Sequence, residues 1–192
     1  MADWFLYLAS ASPRRRELLR QIHVDFEVIA PNVIEIPRVG ETAEQYVVRA
    51  ALDKARAVQD VVLKRSLAPH PVLGADTEVV FEGEILGKPR DRTHGMAMLK
   101  RLAGRTHEVL SGIAIVYQGR EYTALSKSRV TFAPLSEPEI EDYWETGEPV
   151  GKAGGYAIQG RAAAFVRYID GNYSGIVGLP LYELNTLLGN LR

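Results

Sequence analysis

The chain has 192 residues, 46% of them hydrophobic and 24% charged, with 23 Lys plus Arg set against 24 Asp plus Glu. This size and balance fit one globular domain, or two lobes sharing a core, and exclude disordered and fibrous classes. A formal charge of −1 argues against a module that coats duplex phosphate, and the lack of cysteine removes disulfides, thiolate nucleophiles and Cys-ligated zinc. Any metal is then held by oxygen or imidazole, and with only four His the plentiful carboxylates favour Mg2+ or Mn2+.

Residues 1–9 hold an apolar run far too short to span a bilayer, with no basic region before it, so a cytoplasmic protein is expected. Trp4–Ala9 reads as a buried strand that ends at Ser10-Ala11-Ser12-Pro13. Ser12 suits the cap of a helix and Pro13 its first position, and the helix runs to about Gln21. A second strand, Asp25–Ala30, leads into the loop holding Asn32 and Glu35. From Thr42 to about Val62 a long helix is predicted, with Val47, Ala51, Ala55, Val58 and Val62 on one face. Val72–Phe81 reads as a strand, turning at Glu82-Gly83-Glu84 into a short strand that stops at Gly87-Lys88-Pro89. A helix over Thr93–Leu102 stops at Gly104. Strands at about Thr106–Tyr117 and Tyr122–Phe132 are joined across Gln118-Gly119-Arg120. Ser136 with Glu139 makes a capping box for a helix to about Glu145. The glycine-rich stretch Gly151–Gly160 leads to a strand at Ala163–Ile169, a loop, and a last helix from Pro180. Strands alternating with helices, then a hairpin, predict an α/β fold with a mixed sheet.

Five places carry candidate chemistry. At the first strand-to-helix junction, Arg14, Arg15 and Arg16 crowd a helix N-terminus, whose unpaired N–H groups and dipole already attract negative charge. Three cations there point to a bound anion such as phosphate, and equally to a solvated basic face. Lys54 lies about 20° from Val47 on a wheel of ~100° per residue, so it either snorkels along the apolar stripe or aims an ammonium into a phosphate pocket. Asp76 interrupts a strongly apolar strand, on the same face as Gly74 and Glu78. That face is solvated, or Asp76 holds a cation and takes a proton from water. Lys88 ends a strand on a rigid turn, a pattern common among solvated lysines. Gln159 closes a run of glycines that permit close backbone approach, and its amide suits a base edge or an ordinary surface. Walker, dinucleotide-binding, nucleophile-elbow and zinc-helix motifs are all missing, and the four His have no ligand-like spacing.

Taken together these segments resemble the Maf family. Leu8-Ala9-Ser10-Ala11-Ser12-Pro13-Arg14-Arg15-Arg16-Glu17-Leu18-Leu19 is similar to its signature. Gly74-Ala75-Asp76-Thr77, Gly87-Lys88-Pro89, Gly104-Arg105-Thr106-His107-Glu108-Val109, Lys152 to Gly160 and Asn172 to Pro180 follow in the family's order, so one domain over residues 1–192 is expected. The resemblance implies an elongated α/β fold of two lobes around a cleft, similar to inosine triphosphate pyrophosphatases. It implies hydrolysis of a nucleoside triphosphate to the monophosphate and pyrophosphate with a divalent cation, Mg2+ or Mn2+. By matched position, Ser10, Arg14, Arg15, Lys54 and Lys88 would line the phosphate path, Asp76 would be the catalytic carboxylate, and Asp76 with Glu35 would hold the metal. Arg14, Thr77 and Gln159 match the specificity positions of the branch that acts on dTTP and UTP, whereas a 7-methylguanosine triphosphate branch carries an aromatic residue in place of the first. Two rivals remain at this level: a pyrophosphatase for modified purine triphosphates, and a nucleotide-binding inhibitor of septum formation. A homodimer is a further family expectation, with no nucleic-acid or membrane partner.

Overall fold

A computed structural model describes residues 4–191. In chain order its elements are β1 (Phe5–Ala9), α1 (Pro13–Gln21), β2 (Asp25–Val28), α2 (Ala43–Lys64), β3 (Val72–Phe81), β4 (Glu84–Ile85), α3 (Arg92–Leu102), β5 (Thr106–Tyr117), β6 (Arg120–Phe132), α4 (Glu137–Trp144), β7 (Val166–Asp170), α5 (Tyr173–Val177) and α6 (Leu181–Gly189). The seven strands form a mixed sheet in the order β2-β1-β3-β5-β6-β7, with β4 paired to β3. β1 runs parallel to both β2 and β3, each reached through a helical crossover, while β3–β4 and β6–β7 are antiparallel. The mixed α/β sheet expected from the alternation of elements is present. Among the described residues no helix is long and apolar enough to cross a membrane.

The chain divides into two compact units, one made of the residues up to Asp76, Ser111–Ser126 and Gly178 onward, the other of Thr77–Leu110 and Lys127–Val177. In the first, the stripe of α2 (Val47, Ala51, Ala55, Val58, Val62) is buried as the periodicity requires. Part of it packs with Tyr7, Ala9, Val72, Ala114 and Val116. Each fully buried valine contributes on the order of 1.5–3 kcal/mol. Gly74 and Gly112 set how closely α2 lies on the sheet, because a Cβ at either would overlap the carbonyl oxygen of Ala51 or Val47. Thr42 caps α2 through a reciprocal bond with Gln45.

In the second unit the core is aromatic. Phe132 meets His107, Tyr156 and Phe165 edge to face, and Tyr143 meets Phe165 in the same way. Gly95 of α3 lies so close to the Trp144 ring that a side chain would collide with it.

Three local expectations are corrected. Ser12 occupies the N-cap position of α1 but its side chain makes no cap bond; the hydroxyl that accepts from this turn is that of Ser10. β7 starts at Val166 and not at Ala163, because residues 161–165 form a short 3-10 turn, and Ala162-Ala163-Ala164 lack the β-branched side chains that favour extension. The stretch before Pro180 contains α5, whose start is held by Asn172: its side-chain oxygen accepts from Ser174 and from the Gly175 N–H.

Candidate functional site

The first unit assembles a charged site where β1 ends. Ser10 follows the last residue of β1, and Ala9 is in register with Gly74 of the parallel β3. The carboxyl ends of parallel strands are where open α/β sheets present ligand sites. Beyond Ser10 the first turn of α1 carries no acidic residue, so no local carboxylate offsets the dipole of that helix end. Arg15 is clamped there. Its Nε donates to the Gly178 carbonyl at 2.9 Å and its Nη1 to Ser10 Oγ at 3.1 Å. Ser10 Oγ also accepts from the Ser12 N–H, so with two donors on its oxygen the hydroxyl proton is free to donate elsewhere. Burial pulls the Arg15 guanidinium below its ordinary pKa, while the negative fields of Asp76 and Glu35 oppose that shift. An arginine stays charged throughout the physiological range, so Arg15 is a fixed cation facing two carboxylates. Arg14, at the second position of the same helix, is half-buried.

Lys54 and Asp76 form the centre of this site. Gly74 brings α2 against β3, and strand alternation puts Asp76 on that same face two residues on. The Lys54 ammonium therefore reaches the strand: Nζ lies 2.6 Å from Asp76 Oδ1 and 2.8 Å from Glu35 Oε2. Lys54 and Asp76 are 5% and 4% exposed, so Lys54 does not snorkel to water and Asp76 does not sit on a solvated face. The Glu35 side chain is 40% exposed. One ammonium thus serves two carboxylates, and Asp76 Oδ2 is buried with no hydrogen-bond partner. A buried carboxylate oxygen without a protein partner is costly, and a bound cation would satisfy it.

Among the described residues no three His, Asp or Glu side chains group into a ready-made metal cage. The donor set still suits a hard divalent cation, which keeps several waters and takes one or two carboxylates plus ligand phosphates. Asp76 Oδ2 has a free lone pair for it, and Glu35 supplies a second carboxylate within reach of the same ammonium.

Thr77, Lys88 and Gln159 belong to the second unit. Thr77 is half-buried and next in the chain to Asp76, whereas Lys88 and Gln159 are exposed. The segments of Lys88 and Gln159 are tied together: the Gly154 N–H donates to the Gly87 carbonyl at 2.8 Å. Gly154 and Gly155 adopt φ of 67° and 72°, the left-handed region that glycine tolerates, and a Cβ on Gly154 would strike Val79.

Two features escaped the sequence. The Gly178 carbonyl orients Arg15 across 163 positions of chain, which no local pattern signals. His107, read as ordinary, is 2% exposed, bonded through Nε2 to the Tyr156 hydroxyl at 2.8 Å, and pulled by burial down to a pKa of about 4. Its alternation with Val109 on β5 was the available signal, since both face inward.

The family model described as Maf-like protein matches residues 5–191. Over 187 residues the chain is 54% identical to a dTTP/UTP pyrophosphatase of Alkalilimnicola ehrlichii, covering 95% of this chain and 91% of that relative. A protein of the same name from Burkholderia pseudomallei is 51% identical over 192 residues, with coverage of 96% and 92%. Another, from Methylococcus capsulatus, is 51% identical over 191 residues, with coverage of 98% and 92%. Among solved structures, protein VC0702 from Vibrio cholerae aligns over 75% of this chain and 71% of its own at a TM-score of 0.33 and 11% identity, too distant to carry an argument.

Proposed function

Because the chain belongs to the Maf family, we propose that it hydrolyses nucleoside triphosphates, dTTP and UTP foremost, to the monophosphate and pyrophosphate. The observation that carries this reading is the buried Lys54–Asp76 contact with Asp76 Oδ2 left unpaired, in the same unit as Ser10 and the clamped Arg15. A protein that only held a nucleotide has no need of a water-activating carboxylate beside a phosphate-binding turn. A hydrolase has that need, because the carboxylate can position a water and take its proton as that water attacks.

In this mechanism the water oxygen forms a bond to the α-phosphorus, the bond from that phosphorus to the α–β bridging oxygen breaks, and pyrophosphate departs with the bridging oxygen. Asp76 accepts the water's proton. Lys54 orients Asp76 through its 2.6 Å contact with Oδ1 and neutralises phosphate charge. Ser10 donates its free hydroxyl proton to a phosphate oxygen, and Arg14 and Arg15 offset the negative charge gathered at the helix end. A divalent cation, Mg2+ or Mn2+, held by Asp76 and Glu35, would add charge neutralisation of the phosphates. Lys88 as a further phosphate ligand, and Thr77 and Gln159 as readers of the base together with Arg14, follow from the matched segments. The reading extends to a cytoplasmic homodimer with no nucleic-acid partner, to be checked by light scattering and cell fractionation.

The deciding experiment incubates the protein with dTTP, UTP, CTP, GTP and 7-methyl-GTP, each with Mg2+ or Mn2+, and separates the products by chromatography. Monophosphate and pyrophosphate in equal amounts, fastest from dTTP and UTP, are expected. Diphosphate with orthophosphate, or no turnover of any of the five, overturns the reading.

A further inference from the structure

The loop that carries Gln159 is anchored on both sides of that residue. Gln159 is exposed, whereas Tyr156, Ala157 and Ile158 before it are buried. Two positions upstream, the Ala157 N–H donates to the Tyr143 hydroxyl at 3.0 Å. Two positions downstream, the Arg161 N–H is shared between both carboxylate oxygens of Glu148, at 3.0 and 2.9 Å. Tyr143 lies in α4 and Glu148 in the turn just after it, so one short segment supplies both anchors. The second anchor depends on Gly160, where a Cβ would overlap the Glu148 carboxylate.

A phenylalanine would fill the Tyr143 site and keep its edge-to-face contact with Phe165, yet the hydroxyl is buried and committed to the loop backbone. Glu148 likewise commits both oxygens to one backbone donor. Fixing the backbone at two points around a side chain removes motion that binding would otherwise have to freeze.

We infer that Tyr143 and Glu148 are positioning residues for base discrimination: they hold the backbone on either side of Gln159 so that its amide meets the base in one orientation. This rests on the reading of Gln159 as the base-contacting residue and deepens it. Both residues act through the loop backbone.

The test is steady-state kinetics on dTTP and GTP for Tyr143→Phe, Glu148→Ala, Glu148→Gln, Gln159→Ala and the two doubles with Gln159→Ala. Tyr143→Phe and Glu148→Ala are each expected to lower the dTTP-to-GTP ratio of kcat/KM by about three- to ten-fold, the cost of one side chain left to be ordered on binding. The change should fall on KM for dTTP with kcat held. Glu148→Gln retains an acceptor oxygen and should recover most of the ratio, and neither substitution should lower it further once Gln159 is alanine. Equal losses on both nucleotides, or a wild-type ratio in the single variants while Gln159→Ala lowers it, would overturn the positioning role and leave Gln159 as base reader. An unchanged ratio in Gln159→Ala itself removes the base-reading role instead. Should Tyr143→Phe fail to fold, the Glu148→Ala and Glu148→Gln pair decides alone.

Discussion

The charged cluster around Asp76 and the glycine-rich loop around Gln159 are ordered by opposite means. At Asp76 an amine and a carboxyl group are buried together at 2.6 Å, and the pair leaves one carboxylate oxygen without a partner. Around Gln159 the nearby polar atoms on either side are neutral backbone N–H groups met by a hydroxyl and a carboxylate, and the Gln159 side chain stays in solvent. The first arrangement leaves a carboxylate oxygen that a ligand can satisfy. The second supplies only geometry. Chemistry needs the former, because transition-state charge is met by preorganised charge; recognition needs the latter, since one misplaced amide already changes selectivity.

Substitutions can separate the two. Asp76→Asn keeps the shape and removes the charge, so turnover of dTTP should fall by roughly a hundred-fold or more, the scale of a lost general base, with the circular dichroism spectrum unchanged. Activity above a tenth of wild type would detach Asp76 from catalysis. Lys54→Met leaves Asp76 buried without its cation, and urea denaturation should report a loss of about 3–5 kcal/mol, the cost of breaking a buried pair from one side. A loss under about 1 kcal/mol would mean that the cluster behaves like a surface ion pair.

A milder effect is expected in the aromatic core behind the loop. His107 is held neutral in the fold with a pKa of about 4, against an ordinary 6.5. Between those values the unfolded chain binds a proton that the folded chain does not, so stability is intact above pH 6.5 and declines as pH falls toward 4. The decline should total roughly 3 kcal/mol and be missing from His107→Phe, compared by urea unfolding at pH 7, 6, 5 and 4. Parallel pH profiles for the two proteins would contradict a neutral His107.

At the loop, Gln159→Ala should cost about ten- to a hundred-fold in kcat/KM for dTTP and UTP, corresponding to about 1–3 kcal/mol for one hydrogen bond to the base. Kinetics across dTTP, UTP, CTP, GTP and 7-methyl-GTP separate base reading from a loop defect, since a uniform loss across all five would assign Gln159 to the phosphates or the loop's fold.

The sequence by itself determined the mixed α/β class, the order of the long elements, the buried stripe of α2 and the capping box at Ser136, all of which follow from local periodicity and turn chemistry. The same holds for Asp76 as an anomaly, because a carboxylate inside a run of apolar strand residues is conspicuous without any fold. Short-range reasoning failed where small residues set the outcome: the alanines of 162–164 form a turn, and Asn172 starts a helix that the loop composition hides. What only the tertiary structure decided was which alternative each polar residue took. The wheel placed Lys54 at the margin of an apolar face, and nothing local separates a snorkelling lysine from a buried one. Gly74 and Gly112 settle it by letting α2 close onto the sheet, which shuts the route to water and leaves Asp76 and Glu35 as the ammonium's partners. Arg15 is oriented by a carbonyl 163 residues away, and Gln159 is flanked by anchors from the end of another helix. A side chain's charge is written in its residue type, but its desolvation and its partners depend on what the rest of the chain packs around it.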